Sequence, residues 1–348
     1  MSMDKPKQDD ELHILQDIWS SYFAGPDHEA AAEPSITRLR GGMNNSSYRL
    51  RIRNQEYVLR LYESHQDQDK VLYEHAVLDS LSRIERRFEI PELVHTPQGN
   101  TITYCNGKIA ALFRYKEGRN PELTAPQHYE QLGLQAGQLS AALSRVELTH
   151  TPVYPPYYRL DISYPECPPA YLLSFLNQPD PAFQHQAHQM KEMAESVAQL
   201  FEALRFIDQL PHQIVHGDLN ASNVLENDQG QIYAILDFEF ATLDARVMEL
   251  AVPLSDMLGH EEEEMWENCI ALISGFTSVI VLGEDERAVI PLLILLRRLD
   301  VVMHFISRWR KGIDSYAVVE RQLEELYARM KWMDKNRDQL ASILNPSK

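Results

Sequence analysis

The chain has 348 residues, with 33 Lys or Arg against 51 Asp or Glu and a formal net charge of −18 at pH 7. That length is enough for two lobes around a buried core, and 44% hydrophobic with 24% charged residues is an ordinary globular composition. The acidic balance excludes a nucleic-acid partner, whose phosphates need basic side chains to replace counterions, and it draws in a cationic small molecule.

Residues 1–10 are polar and read as disordered. From Glu11 to Phe23 the apolar positions Leu12, Leu15, Ile18, Trp19 and Tyr22 recur with a helical period, and Gly25-Pro26 ends it. A strand over Ile36 to Leu39 leads to the turn Gly41-Gly42-Met43-Asn44-Asn45-Ser46-Ser47. Tyr48, Leu50 and Ile52 then alternate with arginines as a half-exposed strand, and Tyr57 to Tyr62 forms the next one. Val71 to Ile84 reads as a helix carrying Glu74. Thr101 to Tyr104, Asn106-Gly107 and Lys108 to Tyr115 make a hairpin.

A helix over Pro126 to Val146 is followed by residues 152–181, where eight prolines interrupt any periodicity. That segment reads as a long surface connection or a substrate lid. The next helix, 184–209, carries His185 and His188 three apart; without a further ligand they belong to a solvated face. The ten acids between Val247 and Glu286 stand without a single Lys or Arg, and Glu261 to Glu264 fits a solvated helix start. Met265 to Leu282 and Arg287 to Leu344 are helical by pattern. There Arg297, Arg298, Asp300, His304, Arg308 and Trp309 fit a cleft lining and a packed helix equally. The longest apolar run near the C-terminus, Ala288 to Leu296, is broken by Pro291 and too short for a bilayer. No basic and apolar leader opens the chain, and the three scattered cysteines leave an odd thiol, so a reducing cytoplasm is expected.

The chemistry sits in residues 214–240. Asp218 stands five positions before Asn223, and the apolar run Ile232 to Leu236 delivers Asp237. Phosphoryl transfer needs such a set: a carboxylate to orient and deprotonate the attacking hydroxyl, then an amide oxygen and a second carboxylate for Mg²⁺. That ion prefers hard oxygen ligands and keeps several waters, so two protein ligands suffice. Asp218 is therefore the expected catalytic residue, and Asn223 and Asp237 the expected metal ligands. Asp and Asn in a loop usually make turns; the strand ahead of the loop, the fixed gap and the second strand together are much rarer.

This stretch resembles the signature of the aminoglycoside phosphotransferase and choline kinase superfamily, in which a glycine, here Gly217, replaces the Arg of the protein-kinase motif. Its continuation, Leu236-Asp237-Phe238-Glu239-Phe240-Ala241, is most similar to the homoserine kinase type II-like branch. The resemblance spans residues 35–310 and implies an α+β, bilobal protein-kinase-like fold. An N-lobe over 35–117 would hold a five-stranded antiparallel sheet plus a helix, and 118–348 a mainly helical C-lobe, with 1–34 as a helical extension. It implies ATP and Mg²⁺ as cofactors. Gly41, Gly42, Asn44, Asn45 and Ser46 would cover the phosphates. Arg60 would take the place of the phosphate-binding Lys, with Glu74 as its partner, and the backbone of Arg114 to Glu117 would receive adenine. His216 would brace the loop, and Glu249 stands where the family has an Asp.

The acceptor stays open at this point: an amino alcohol such as homoserine, a choline-like cation or an aminoglycoside. A protein Ser/Thr kinase of the same fold is an alternative. So is a kinase-like binding protein without turnover, favoured by Arg60 and Glu249 and opposed by the presence of Asp218, Asn223 and Asp237.

Overall fold

Alternation sets which side chains each face of the N-terminal sheet receives. Strands β1 (Ser35–Arg38), β2 (Asn45–Ile52) and β3 (Gln55–Tyr62) run antiparallel, with Tyr48 opposite Leu59 and Leu50 opposite Tyr57. These four side chains share one face and bury against Leu15, Ile18, Trp19 and Tyr22 of a helical segment, α1, residues 15–23. The period of two sends Val58, Arg60 and Tyr62 to the opposite face. There α2 (Gln68–Ser82) packs, burying Val71, Val77 and Leu78. A sheet covered on both faces thus points Arg60 at a helix. The computed structural model describes residues 15–23, 34–39, 45–63, 67–258 and 264–345; residues 1–10, Gly41, Gly42, Asn44 and Glu261 to Glu263 lie outside them.

The sheet has six strands rather than the expected five, in the order β1-β2-β3-β6-β4 with β5 also on β6. The addition is β4, only Glu92–Leu93, paired to Arg114 and Phe113 and too short to show a period. β5 (Ile102–Cys105) and β6 (Lys108–Arg114) form the expected hairpin, whose turn residues Asn106 and Gly107 both have positive φ, as tight hairpins require.

The remainder is mainly helical. α3 (Pro126–Leu143) is followed by two short helices in the proline-rich stretch, α4 (Leu160–Ser163) and α5 (Pro169–Asn177). α6 (Ala187–Ala203) is shorter than the expected 184–209 helix because six-residue 3₁₀ helices, Pro181–Gln186 and Leu204–Gln209, take over at its ends. Two small ribbons then frame the central loops: β7 (His212–Val215) with β10 (Thr242–Ala245), and β8 (Val224–Glu226) with β9 (Ile232–Ile235). α7 (Met248–Met257), α8 (Met265–Thr277), α9 (Glu284–Arg310) and α10 (Tyr316–Leu344) complete the chain. The helical pattern read from Arg287 to Leu344 is broken between α9 and α10, where Gly312 takes a φ of 72°.

α3 and α8 pack closely because glycines meet there. A Cβ on Gly133 would lie 2.0 Å from the Leu272 carbonyl oxygen, and one on Gly275 2.1 Å from that of Glu130. No described helix is long and apolar enough to cross a membrane.

Candidate active site

The loop after β7 is fixed from below. The His216 N–H donates to both carboxylate oxygens of Glu249, each at 3.1 Å, from the first turn of α7. Burial pushes the Glu249 carboxyl up to about 8, against the pull of the His216 and Gly217 backbone donors. The His216 ring bridges the two central loops: Nε2 donates to the Leu236 carbonyl at 2.9 Å, and Nδ1 accepts from the Asp218 N–H at 3.2 Å. Both nitrogens are engaged and burial lowers the ring's pKa, so it stays neutral. Gly217 has a φ of 83°, and a Cβ there would meet the Phe240 carbonyl oxygen at 2.8 Å. A larger residue is excluded on both counts.

Asp218 and Asn223 touch. The Asn223 amide donates to the Asp218 carbonyl at 2.7 Å and to its Oδ2 at 3.1 Å. On the other side, Arg297 Nη2 reaches Asp218 Oδ1 at 2.7 Å. Arg297 and Asp300 lie three apart on α9 and so share a face, and their side chains pair at 3.2 Å. The Tyr164 hydroxyl donates to Asp300 Oδ1 at 2.6 Å, while the Tyr157 hydroxyl donates to the Gly217 carbonyl at 2.5 Å. The Arg297 guanidinium carbon stands 5.5 Å from the Tyr157 ring centre. Burial raises the Asp218 pKa and Arg297 opposes that rise. The proline-rich segment thus reaches the loop through two tyrosines.

The six polar residues read along α9 separate. Arg297 and Asp300 join the loop. Arg298 pairs with Glu325 at 2.6 Å and donates to Gln322 Oε1, and Arg308 pairs with Asp314 at 2.6 Å. The Trp309 ring packs on Phe175 and Phe183, and the His304 ring lies 6.3 Å from that of Tyr164. His185 pairs with Glu320 and His188 with Glu192, both histidines exposed and neither near a third ligand.

At the opposite end, Arg60 Nη1 lies 3.0 Å from Glu74 Oε1 and 3.2 Å from Asp237 Oδ1. Burial disfavours its charge, but Asp237 and Glu74 outweigh that and hold its pKa above the ordinary value. Burial also pushes Glu74 up to about 7, with Arg60 opposing, and the Tyr62 hydroxyl donates to its second oxygen at 3.2 Å. Asp237 has a φ of 62°. A non-glycine residue in that region costs about 1–3 kcal/mol and is retained where a site needs the side chain aimed.

Asn45 and Ser46 open β2. The Asn45 amide donates to Glu239 Oε2 at 2.7 Å, tying the start of β2 to the loop after Asp237. Its Oδ1 is buried with no partner among the described residues. Ser46 is paired in the sheet with Leu61, and its hydroxyl accepts from Arg38 at 3.5 Å. In the connecting strand, the Tyr115 N–H donates to the Glu56 carbonyl, and the Glu117 carbonyl accepts from the Tyr233 hydroxyl. Those two backbone groups are used within the protein.

The donor set suits Mg²⁺ with nucleotide phosphates. Among the described residues no three His, Cys, Asp or Glu side chains converge into a closed metal site. An amide and a carboxylate with open positions is what an ion that keeps its waters takes. Sequence reading missed Glu239, Tyr157, Tyr164 and the Arg297–Asp300 pair as parts of one constellation.

Comparison with known proteins gives one direction. The profile of the phosphotransferase enzyme family (APH) matches residues 35–268. A homoserine kinase of Methylobacillus flagellatus is 25% identical over 219 residues, 63% of this chain and 62% of that protein, so the match spans less than two thirds of its length. A homoserine kinase of Zymomonas mobilis is 22% identical over 300 residues, 86% of this chain and 88% of that one. Among solved structures, an amicoumacin kinase in complex with AMP-PNP, Ca²⁺ and Ami superposes with a TM-score of 0.67 at 17% identity, covering 93% of this chain and 96% of that one. A microcompartment-associated aminopropanol kinase gives 0.63 at 15% identity, covering 96% and 100%. The shared architecture is the bilobal, protein-kinase-like α+β fold.

Proposed function

Because the chain belongs to the phosphotransferase enzyme family, we propose that it transfers the γ-phosphoryl group of ATP, with Mg²⁺, to a hydroxyl of a small amine-bearing acceptor, homoserine being the first candidate. The relatives named homoserine kinases and the fold neighbours named for aminopropanol and choline support that acceptor class. Bound ATP and Mg²⁺ supply the phosphoryl group and the positive charge that screens its oxygens. The protein's own share is positioning and electrostatics.

Asp218 orients the acceptor hydroxyl and takes its proton. Asn223, whose amide nitrogen is spent on Asp218, and Asp237 would hold the metal. Arg60, kept in place by Glu74, presents its guanidinium to phosphate, where a planar fork and a permanent charge are suited. Asn45 and Ser46, with Gly41, Gly42 and Asn44 ahead of them, would cover the phosphates. His216 keeps both central loops in register and moves no proton.

The observation that carries this reading is the contact of Asn223 with Asp218, at 3.1 Å, with Asp237 joined to the Arg60–Glu74 pair nearby. Calorimetry of ATP with and without Mg²⁺, on wild type and Asp237→Ala, tests it. Mg²⁺-dependent binding that weakens at least about 100-fold in the variant is expected from loss of a metal ligand. Absent binding in the wild type, or near-normal binding in the variant, would replace it with a kinase-like binding protein.

A further inference from the structure

Beside the catalytic loop lies a pocket of about 300 Å³. Asn220 and Ala221, two and three positions after Asp218, line it together with Tyr129, Leu132, Pro253 and Met257. One charged side chain, Asp256, lines it. Asp256 is open to solvent and has no hydrogen bond or ion pair among the described residues.

Stability does not account for Asp256. It stands in the last turn of α7, where the negative end of the helix dipole disfavours a carboxylate. The charges that act on it are Arg297, Asp218, Arg329 and Arg298. Each arginine is committed elsewhere: Arg297 to Asp218 and Asp300, Arg298 to Gln322 and Glu325, and buried Arg329 to the Ser255 carbonyl.

We infer that Asp256 is the ammonium receptor of the acceptor subsite, pairing with the acceptor's protonated amine while the hydroxyl on the same molecule reaches Asp218. This rests on the phosphotransferase reading above and narrows it. A partly desolvated ammonium needs a carboxylate partner, and the Tyr129 ring and aliphatic walls suit the short carbon chain between amine and hydroxyl. The volume lies at the bottom of the range of about 300–1,000 Å³ for ligand pockets. That fits a compact amino alcohol better than a multi-ring aminoglycoside.

The test compares wild type and Asp256→Asn with three acceptors: L-homoserine, 3-aminopropan-1-ol, which lacks its carboxylate, and 4-hydroxybutanoate, which lacks its amine. ADP release gives kcat and KM, and Mg–ATP calorimetry on both proteins serves as the check of folding. The expected result is a kcat/KM for the two amines more than tenfold above that for 4-hydroxybutanoate in the wild type. In Asp256→Asn that preference collapses toward one, through a higher KM for the amines, with Asp256→Glu recovering part of it. A preference that survives in Asp256→Asn, or a wild type that uses 4-hydroxybutanoate as well as the amines, overturns the inference. A wild type that binds Mg–ATP and turns over none of the three also overturns it, leaving the nucleotide site standing. A wild type that does not bind Mg–ATP removes both readings.

Discussion

Arg297 and Asp218 meet at 2.7 Å across 79 positions of sequence, joining the middle of α9 to the loop after β7. The guanidinium does two things for the carboxylate: it fixes one oxygen in space, and it opposes the upward shift in pKa that burial causes. Without it, Asp218 keeps the burial and loses the compensation, so its folded-state pKa climbs further. The acidic limb of the kcat–pH profile should therefore move to higher pH in Arg297→Gln. At neutral pH kcat should fall by about tenfold or more, within the range for disabling a general base, and recover partly as pH rises. Mg–ATP affinity should change far less. Profiles of wild type, Arg297→Gln and Arg297→Lys read this directly; a limb that stays in place means that Arg297 only packs.

That pair also shows what the sequence could and could not reveal. On the proposed phosphoryl transfer, the spacing of Asp218, Asn223 and Asp237 is legible because it lies within one continuous stretch, with short strands marking either side. Arg60 and Glu74 were legible as partners only through the resemblance, and they pair at 3.0 Å. Arg297, Asp300, Tyr157 and Tyr164 reach the loop only through the packing of α9 and the proline-rich segment. Nothing local separates Arg297 from Arg298 beside it, although one meets Asp218 and the other meets α10. The two-residue β4 escaped for the opposite reason, since a pair of residues has no period to read.

The Arg60 position permits a sharper test of the phosphate end. Its guanidinium bridges Glu74 and Asp237 through Nη1, and the proposed role adds phosphate oxygens to that pair. Arg60→Lys should retain measurable turnover, because an ammonium can still pair with the two carboxylates, but with a KM for ATP raised several-fold. Arg60→Met strands buried Glu74 against Asp237 without a cation. Breaking a buried pair in this way costs about 3–5 kcal/mol, so this variant should melt well below wild type and lose nucleotide binding. Thermal melts and ATP titrations on both variants check the order; equal behaviour of Lys and Met would mean that the charge is not used.

Glu249 gives a pH signature of stability. Burial raises its carboxyl to about 8 in the folded state, above the ordinary 4.5. Between those values the native state holds a proton that the unfolded chain has released, so stability from this group is full below about 4.5 and lost as pH rises through about 8. Glu249→Gln removes the titration while keeping an acceptor oxygen for the His216 N–H. The gap in melting temperature between wild type and variant should be largest near pH 5 and shrink, or change sign, by pH 8. A gap that is constant across that window would show that the carboxyl is ionised throughout.

The close approach of α3 and α8 makes a prediction about the scaffold around the proposed acceptor pocket. A methyl group on Gly275 would lie 2.1 Å from the Glu130 carbonyl oxygen and 2.7 Å from the Leu134 nitrogen, both backbone atoms that cannot swing aside. The two helices must separate, and overpacking of this kind costs typically about 1–3 kcal/mol and occasionally more. A helical Gly→Ala change alone would instead gain up to about 1 kcal/mol, so the two effects have opposite signs and the steric one should win. Gly275→Ala should therefore lower the melting temperature. Because Tyr129 and Leu132 on α3 wall the pocket, the separation should also raise the acceptor KM more than the ATP KM. Gly230, with open space around it, provides the comparison: Gly230→Ala strains a φ of 70° but moves no helix. If Gly275→Ala proves as stable as wild type, the α3–α8 contact is looser than these distances state, and the pocket wall is free to adjust to larger acceptors.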